Sequence, residues 1–301
     1  ASIPWVFSEM VRHLCRHENV RILVENRRLE QRARRFLSQA EVDTEAVAFH
    51  QVTTNRSWLR DMGPVFILRC GAGPGEMSVL DWRFNGWGRY SNWRRDDAVP
   101  STIARLLGLK CWQPKIASGE RRIVLEGGSI DVNGQGTLVT TEECLLSPIQ
   151  ARNPGLSRLE LEEIFRRCLG ISKVLWLGQG LVGDDTHGHV DEIARFVNPT
   201  TLVVSVESNR WDANYDRLRA NRRRLAEATD QEGQPLRVVE LPMPQPLYFR
   251  GRRLPASYAN FYIANQTVLV PTFNDPNDHM VLNRLSRLFP DRSVVGIHCV
   301  D

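Results

Sequence analysis

One layout recurs four times along the chain, and it limits the possible folds more than any other feature. Each copy opens on a polar residue able to do chemistry, then runs through an apolar strand, a Gly- or Asn-containing turn and a second apolar strand. The first is Asp61 with PVFIL, the turn CGAGPG and MSVLDW; the second is Glu126 with GGSIDV, the turn NGQG and TLVTTE. The third is His189 with VDEIARFV, the turn NPTT and LVVSVE; the fourth is Asn260 with FYIA, the turn NQ and VLVPTF. The lead residues are 65, 63 and 71 positions apart. Helical patterns follow at 96–107, 157–169, 211–228 and 278–288, with caps at Ser157 and at Asp275-Pro276. A further strand usually follows or intervenes: IVL before Glu126, KVLWL, LRVVEL and SVVGI. The unit is strand, strand, helix, strand. The N-terminal stretch adds a helix over 4–17, the strand VRILVE, a helix over 29–40 and the strand VAFHQV.

A unit of this size cannot bury both faces of its sheet alone, so successive units must pack on one another as a ring or array. In a ring, the residues that lead each hairpin converge near the axis. Asp, Glu, His and Asn avoid a crowded, partly buried centre unless they act there, so their convergence reads as an active site.

The 301 residues carry 42% hydrophobic and 25% charged side chains, which excludes a disordered or fibrous chain. No apolar run approaches the length of a membrane helix, and no secretory signal opens the sequence. Six widely spaced cysteines with no CxxC argue against a zinc ribbon or disulfide framework, and for a reducing, cytoplasmic compartment. Of the 39 basic residues only Lys110, Lys115 and Lys173 are lysines. The densest arginine run, Arg217, Arg219, Arg222, Arg223 and Arg224, admits a nucleic-acid-binding reading. Interspersed acids, and the lack of an aromatic stacking set, favour a solvated helix face instead.

The sharpest local signal is Gly183-Asp184-Asp185-Thr186-His187-Gly188-His189-Val190-Asp191-Glu192. One reading is a metal site, since T-H-x-H-x-D resembles the ligand signature of the metallo-β-lactamase superfamily. Glu192 stands where that signature continues with histidine, and the ligand count falls short. The other reading is a general acid/base. His189 and Asp191 alternate along an expected strand and so share a face, and a carboxylate neighbour keeps an imidazolium available near neutral pH. Asp61, Glu126 and Asp191 aimed at one point would repel each other until a planar cation bound, and a guanidinium fork fits carboxylates two at a time. Trp58 and Trp87 can stack on such a ligand.

The stretches WLRDMGPVF, FNGWGRY, EGGSIDVNGQGTLVTTEECLL, RNPGLS, GDDTHGHVDEIARFV, ASYANFYIAN and FNDPNDHMVLNRLSRLFPDRSVVGI together resemble the agmatine deiminase family, which groups with the bacterial peptidylarginine deiminases. The resemblance spans nearly the whole chain. It implies one domain over 1–301, a five-bladed α/β propeller of strand-strand-helix-strand repeats (the pentein fold) with pseudo-fivefold symmetry. It also implies hydrolysis of agmatine to N-carbamoylputrescine and ammonia through a cysteine thiolate. His189 resembles the family's general acid/base, Glu126 its acidic partner, and Asp61 and Asp191 the pair that grips the guanidinium. No metal or organic cofactor is implied, the partner is a small guanidino substrate, and the assembly is left open to a homodimer. Free arginine and peptidyl-arginine stay open as rival substrates. A hydrolase using metal at His187 and His189 is the rival from another class.

The family nucleophile lies in a motif GG-x-x-HC-x-T-x-Q. Cys299 lacks both the glycine pair and the following Thr and Gln. In the third copy the helix-following strand ends 12 residues before the reactive residue, and in the fourth 19. Either gap counted from Ile297 places the fifth reactive residue at about 309–316, beyond Asp301. The last blade is therefore expected to be incomplete, the chain to begin after the family's opening segment, and the 301 residues alone to lack turnover.

Overall fold

The computed structural model describes residues 3–68, 76–116 and 119–300; Cys70 and the expected turn CGAGPG lie outside the described residues. The fold is α/β, and its elements follow the repeat. The N-terminal stretch is α1 (Ile3–Leu14), β1 (Val20–Val24), α2 (Arg27–Gln39) and β2 (Val47–Gln51). The first copy is α3 (Leu59–Met62), β3 (Val65–Leu68), β4 (Met77–Leu80), α4 (Arg94–Asp97), α5 (Val99–Leu107) and β5 (Lys110–Trp112). The second is β6 (Asp131–Val132), β7 (Thr137–Thr141), α6 (Glu142–Leu145), α7 (Arg158–Leu169) and β8 (Lys173–Leu177). The third is β9 (Ala194–Asn198), β10 (Thr201–Val206), α8 (Tyr215–Ala226) and β11 (Arg237–Pro242). A small hairpin of β12 (Tyr248–Phe249) and β13 (Arg252–Arg253) precedes the fourth: β14 (Tyr262–Ile263), β15 (Thr267–Thr272), α9 (Asp278–Leu288) and β16 (Ser293–His298).

Each copy forms one three-stranded sheet of the same topology, its middle strand antiparallel to the strand before it and parallel to the strand that returns after the helix. β1 and β2 pair in parallel across α2, matching the second strand, helix and third strand of the other units.

Alternation along the middle strands explains why the units stack. In β7, Leu138 packs with α7 residues Leu161, Ile164 and Phe165 and with Leu80 and Trp82 of the first unit, while its neighbour Val139 faces the core of the third unit. In β10, Leu202 and Val204 pack with Leu218 and Leu225 of α8, and Val203 points the other way, toward Val268, Val270 and α9. The three largest cores thus each straddle two successive units.

Polar seams fix the units laterally. Arg195 Nε meets Asp131 of the second unit at 2.8 Å, and its Nη1 donates to the Phe261 carbonyl of the fourth at 2.8 Å. Buried Asp96 accepts the Asn55 N–H at 2.6 Å and pairs with Arg56 at 2.8 Å, fastening the N-terminal stretch to the first unit. At the far end, α1 packs on β15 and β16, and Asn265 N–H donates to Glu18 at 2.7 Å.

Three local expectations are corrected. The third strand of the first unit is β5, whereas in the expected IVL strand Val124 makes only an isolated bridge to Arg83. The helix expected over 96–107 is broken at Ala98, between α4 and α5, where Pro100 enters the second helix near its start. The strand expected from Val190 begins only at Ala194, because Val190–Glu192 form a 3-10 turn. Ser157 does cap α7, with the reciprocal bonds of a capping box to Glu160. Ser157→Ala should destabilise the protein by about 1 kcal/mol in urea unfolding, with an unchanged unfolding slope.

Candidate active site

The lead residues of the first three units sit on short, irregular pieces of backbone at the entrances to their hairpins. Asp61 lies in the single turn α3, Glu126 directly before the 3-10 turn Gly127–Ser129, and His189 directly before the 3-10 turn Val190–Glu192. A turn lets a side chain aim along the strand axis, which a pleated strand cannot do. Asp191 and His189 therefore meet through a turn and not through strand alternation.

These side chains converge on the imidazole. His189 Nδ1 is 3.7 Å from Asp61 Oδ1, and Nε2 is 3.6 Å from Glu126 Oε2. Gly128 lies among them. A Cβ built there would fall 2.5 Å from His189 Nδ1, 2.7 Å from Asp61 Oδ1 and 3.0 Å from Asp191 Oδ2, so a side chain would displace part of the cluster. His189, Glu126 and Asp191 are buried, and Asp61 is nearly so. Burial works against a charged imidazole, but Asp61, Glu126 and Asp191 outweigh it and push His189 up to about 9. Burial, reinforced by Asp191 and Glu126, raises Asp61 to about 6. Glu126 runs the other way: burial opposes its charge, and Arg152 and His189 hold it below the usual carboxylate range.

The turn that carries His189 is organised by Asp184. Its Oδ1 accepts from Thr186 N–H at 2.7 Å and from the Thr186 hydroxyl at 2.6 Å. Its Oδ2 accepts from Gly188 N–H at 2.7 Å and His189 N–H at 3.3 Å. Gly183 and Gly188 take φ of 94° and 92°, which glycine adopts freely, and each sits against other parts of the chain, Arg253 and Glu143 respectively. Burial, reinforced by Asp184, Asp191 and Asp61, pushes Glu192 well above the ordinary carboxyl range.

The two tryptophans part company. Trp87 is buried, donates its indole N–H to Asp61 Oδ2 at 3.1 Å, and carries the Arg56 guanidinium 5.2 Å from its ring centre. It positions Asp61 instead of offering a free face. Trp58 stands 62% exposed at the start of the helix that bears Asp61. Tyr90 packs edge-on against Trp87 and donates to exposed Asp185 at 2.6 Å. Asn260 is exposed and makes its backbone bond to Ser257.

His187 does not join His189; its Nε2 contacts the Ser147 hydroxyl at 3.1 Å. Among the described residues, the donors close enough for a metal are Glu126, Cys144 and His189, within 4.8 Å of one another. Arg152 already faces both oxygens of Glu126, so this set does not offer a cation an open carboxylate. Burial drives the Cys144 thiol far up, which disfavours a thiolate there. Cys299 follows β16, half out of the protein, with its thiol also raised by burial. Four of the five arginines of the α8 run are paired with acids: Arg217 with Glu143, Arg219 with Asp216, Arg222 with Glu240 and Arg224 with Glu142. Among the described residues no helix is long and apolar enough to cross a membrane.

Arg152, Gly128 and Asp184 carry no sequence signal of their role. Arg152 is one arginine among many, Gly128 one of a glycine pair, and Asp184 one of two adjacent aspartates.

Compared with known proteins, the chain matches the family model of Porphyromonas-type peptidyl-arginine deiminases over residues 1–301. It is 35% identical to the agmatine deiminase of Ectopseudomonas mendocina over 298 residues, covering 87% of this chain and 78% of that protein. The agmatine deiminase structure from Enterococcus faecalis superposes with a TM-score of 0.88 at 30% identity, covering 99% of this chain and 83% of that one. A cysteine-to-serine variant of the C. jejuni agmatine deiminase with substrate bound gives a TM-score of 0.84 at 30% identity, covering 99% of this chain and 82% of that one.

Gly128→Ala tests the geometry directly. The added methyl must part His189 from Asp61, so NMR titration of labelled histidine should move the His189 midpoint down from about 9. An unmoved midpoint would show that the cluster is looser than described.

Proposed function

The chain belongs to the Porphyromonas-type peptidyl-arginine deiminase family, and from there we propose that it hydrolyses the guanidinium group of agmatine, giving N-carbamoylputrescine and ammonia. The observation that carries this reading is a buried imidazole ringed by carboxylates from three successive units, 3.7 Å from Asp61 and 3.6 Å from Glu126. Asp61 and Asp191 take the guanidinium between them. A cysteine thiolate attacks its central carbon, and the tetrahedral adduct collapses by expelling ammonia, which takes its proton from the His189 imidazolium. The neutral imidazole then removes a proton from water, which attacks the amidino-thioether and releases the ureido product and the thiol. Glu126 steadies the imidazolium that opens the first half and is re-formed in the second. The substrate-bound serine variant of the C. jejuni relative supports a thiol nucleophile. By the repeat spacing that thiol falls after β16, whereas buried Cys144 is poorly suited to the role.

Agmatine is favoured over arginine by what surrounds the cluster. Asp185 is an exposed carboxylate on the turn that carries His189, separated from the Trp87–Asp61 pair by one aromatic ring. It suits a terminal amine and repels a carboxylate. For the fold, we infer a single domain of five units closed in a ring. The pairing of β1 with β2, the seam at Asp96 and the packing of α1 on β15 and β16 support it. The wide spacing of the six cysteines and the lack of a CxxC pair support a reducing, cytoplasmic location.

His189→Ala should lower kcat for ammonia release from agmatine by about 10²–10⁴-fold, and near-normal turnover would sink the assignment. The profile of kcat/KM against pH should be a bell. Asp61 must be ionised to hold the cation, so activity falls as pH drops through about 6. His189 must be protonated as acid, so activity falls as pH rises through about 9.

A further inference from the structure

The loop that follows α6 brings one guanidinium to the cluster from behind. The Arg152 and Glu126 side chains are both wholly buried. Arg152 Nε lies 3.1 and 3.2 Å from the two Glu126 oxygens. The rest of the guanidinium is held elsewhere: Nη1 donates to the Gln150 carbonyl at 3.0 Å, and Nη2 donates to the Thr186 carbonyl in the turn that bears His189.

The loop is itself anchored to three units. The Gln150 carboxamide donates to the carbonyls of Trp87 at 3.2 Å and Asp185 at 3.0 Å. Asn153 engages both backbone groups of Val124, accepting from its N–H at 2.9 Å and donating to its carbonyl at 2.8 Å. Arg152 therefore cannot swing aside, and its charge is committed to Glu126.

Glu126 would not stay ionised there unaided, because burial favours its neutral form. From the 150–153 loop it is faced by Arg152, from the 184–189 turn by His189, and from α6 by the neutral thiol of Cys144. His189 is faced in turn by Asp61 from α3, by Asp191 from its own turn and by Glu126, with Asp184 behind its backbone.

We propose that Arg152 is a positioning residue of the reaction: it keeps Glu126 a carboxylate aimed at His189, and acts on catalysis only through that carboxylate. The proposal rests on the reading of His189 as the acid/base. Without Arg152, Glu126 takes up a proton and His189 loses one of the charges that stabilise its imidazolium. The proton it must deliver to ammonia is then lost at a lower pH than in the wild-type protein. Lysine keeps the charge but not the fork.

The experiment compares the wild-type protein with Arg152→Gln, Arg152→Lys, Glu126→Gln and the double variant Glu126→Gln/Arg152→Gln. Histidine titration by NMR and kcat and KM for agmatine are measured across pH. In Arg152→Gln the His189 midpoint should fall by about one pH unit or more, and kcat by about 10²-fold, with KM within about threefold because Asp61 and Asp191 remain. Arg152→Lys should keep the midpoint close to wild type. The double variant should match Glu126→Gln within about threefold in kcat, since a residue acting through another adds nothing once that one is gone. An unmoved His189 midpoint in Arg152→Gln overturns the proposal, as does a double variant more than about tenfold slower than Glu126→Gln. If Arg152→Gln fails to fold, the comparison of Glu126→Gln with the double variant decides, because a neutral pair replaces a buried ion pair with little loss of stability. The kinetics use a protein that includes the nucleophile expected at about 309–316; if that protein leaves agmatine untouched, the proposed substrate is wrong, and the NMR titration still decides the role of Arg152.

Discussion

Taking a carboxylate out of water costs several kcal/mol unless a partner compensates it, and this protein takes three out of water within reach of one another. Asp61, Glu126 and Asp191 share a space with His189 and Arg152. Burial raises Asp61 and Asp191 above the ordinary carboxylate range, whereas Glu126 is held below it by Arg152 and His189. With the imidazole charged and all three carboxylates ionised, this set of five carries one negative charge in excess. Arg60 reaches Asp191 only at 3.7 Å, from a position 37% exposed. A bound guanidinium supplies the missing positive charge and adds a planar array of donors. The same imbalance that makes the empty cluster costly makes it selective for a cation.

Such a cluster holds only if the backbone around it cannot relax. The repeat provides that rigidity. The middle strands of the second and third units, β7 and β10, each send alternate residues into two different cores, so neither unit can shift without opening both. Arg195, bonded to Asp131 on one side and to Phe261 on the other, joins three units close to the site. Because the lead residues stand on turns at the hairpin entrances, packing of the sheets carries those turns toward one point. The glycines there, Gly128 above all, leave the room that the acidic and imidazole side chains fill.

The sequence determined much of this. Period-two apolar runs, turn residues and helix caps fix the strand-strand-helix-strand unit, because they depend on neighbours within a few positions. The recurrence of a polar residue at each hairpin start pointed to Asp61, Glu126 and His189 before any distance was known. Only the tertiary structure decided the rest. That Val190–Glu192 form a turn, that Trp87 holds Asp61 while Trp58 faces solvent, and that His187 turns to Ser147 are matters of packing between units, which local propensity does not encode. The protonation of Glu126 was the least legible of all. Nothing in RNPGLS distinguishes Arg152 from the other arginines, and its role arises from burial against a carboxylate 26 positions away, a contact that exists only once the units have closed on each other.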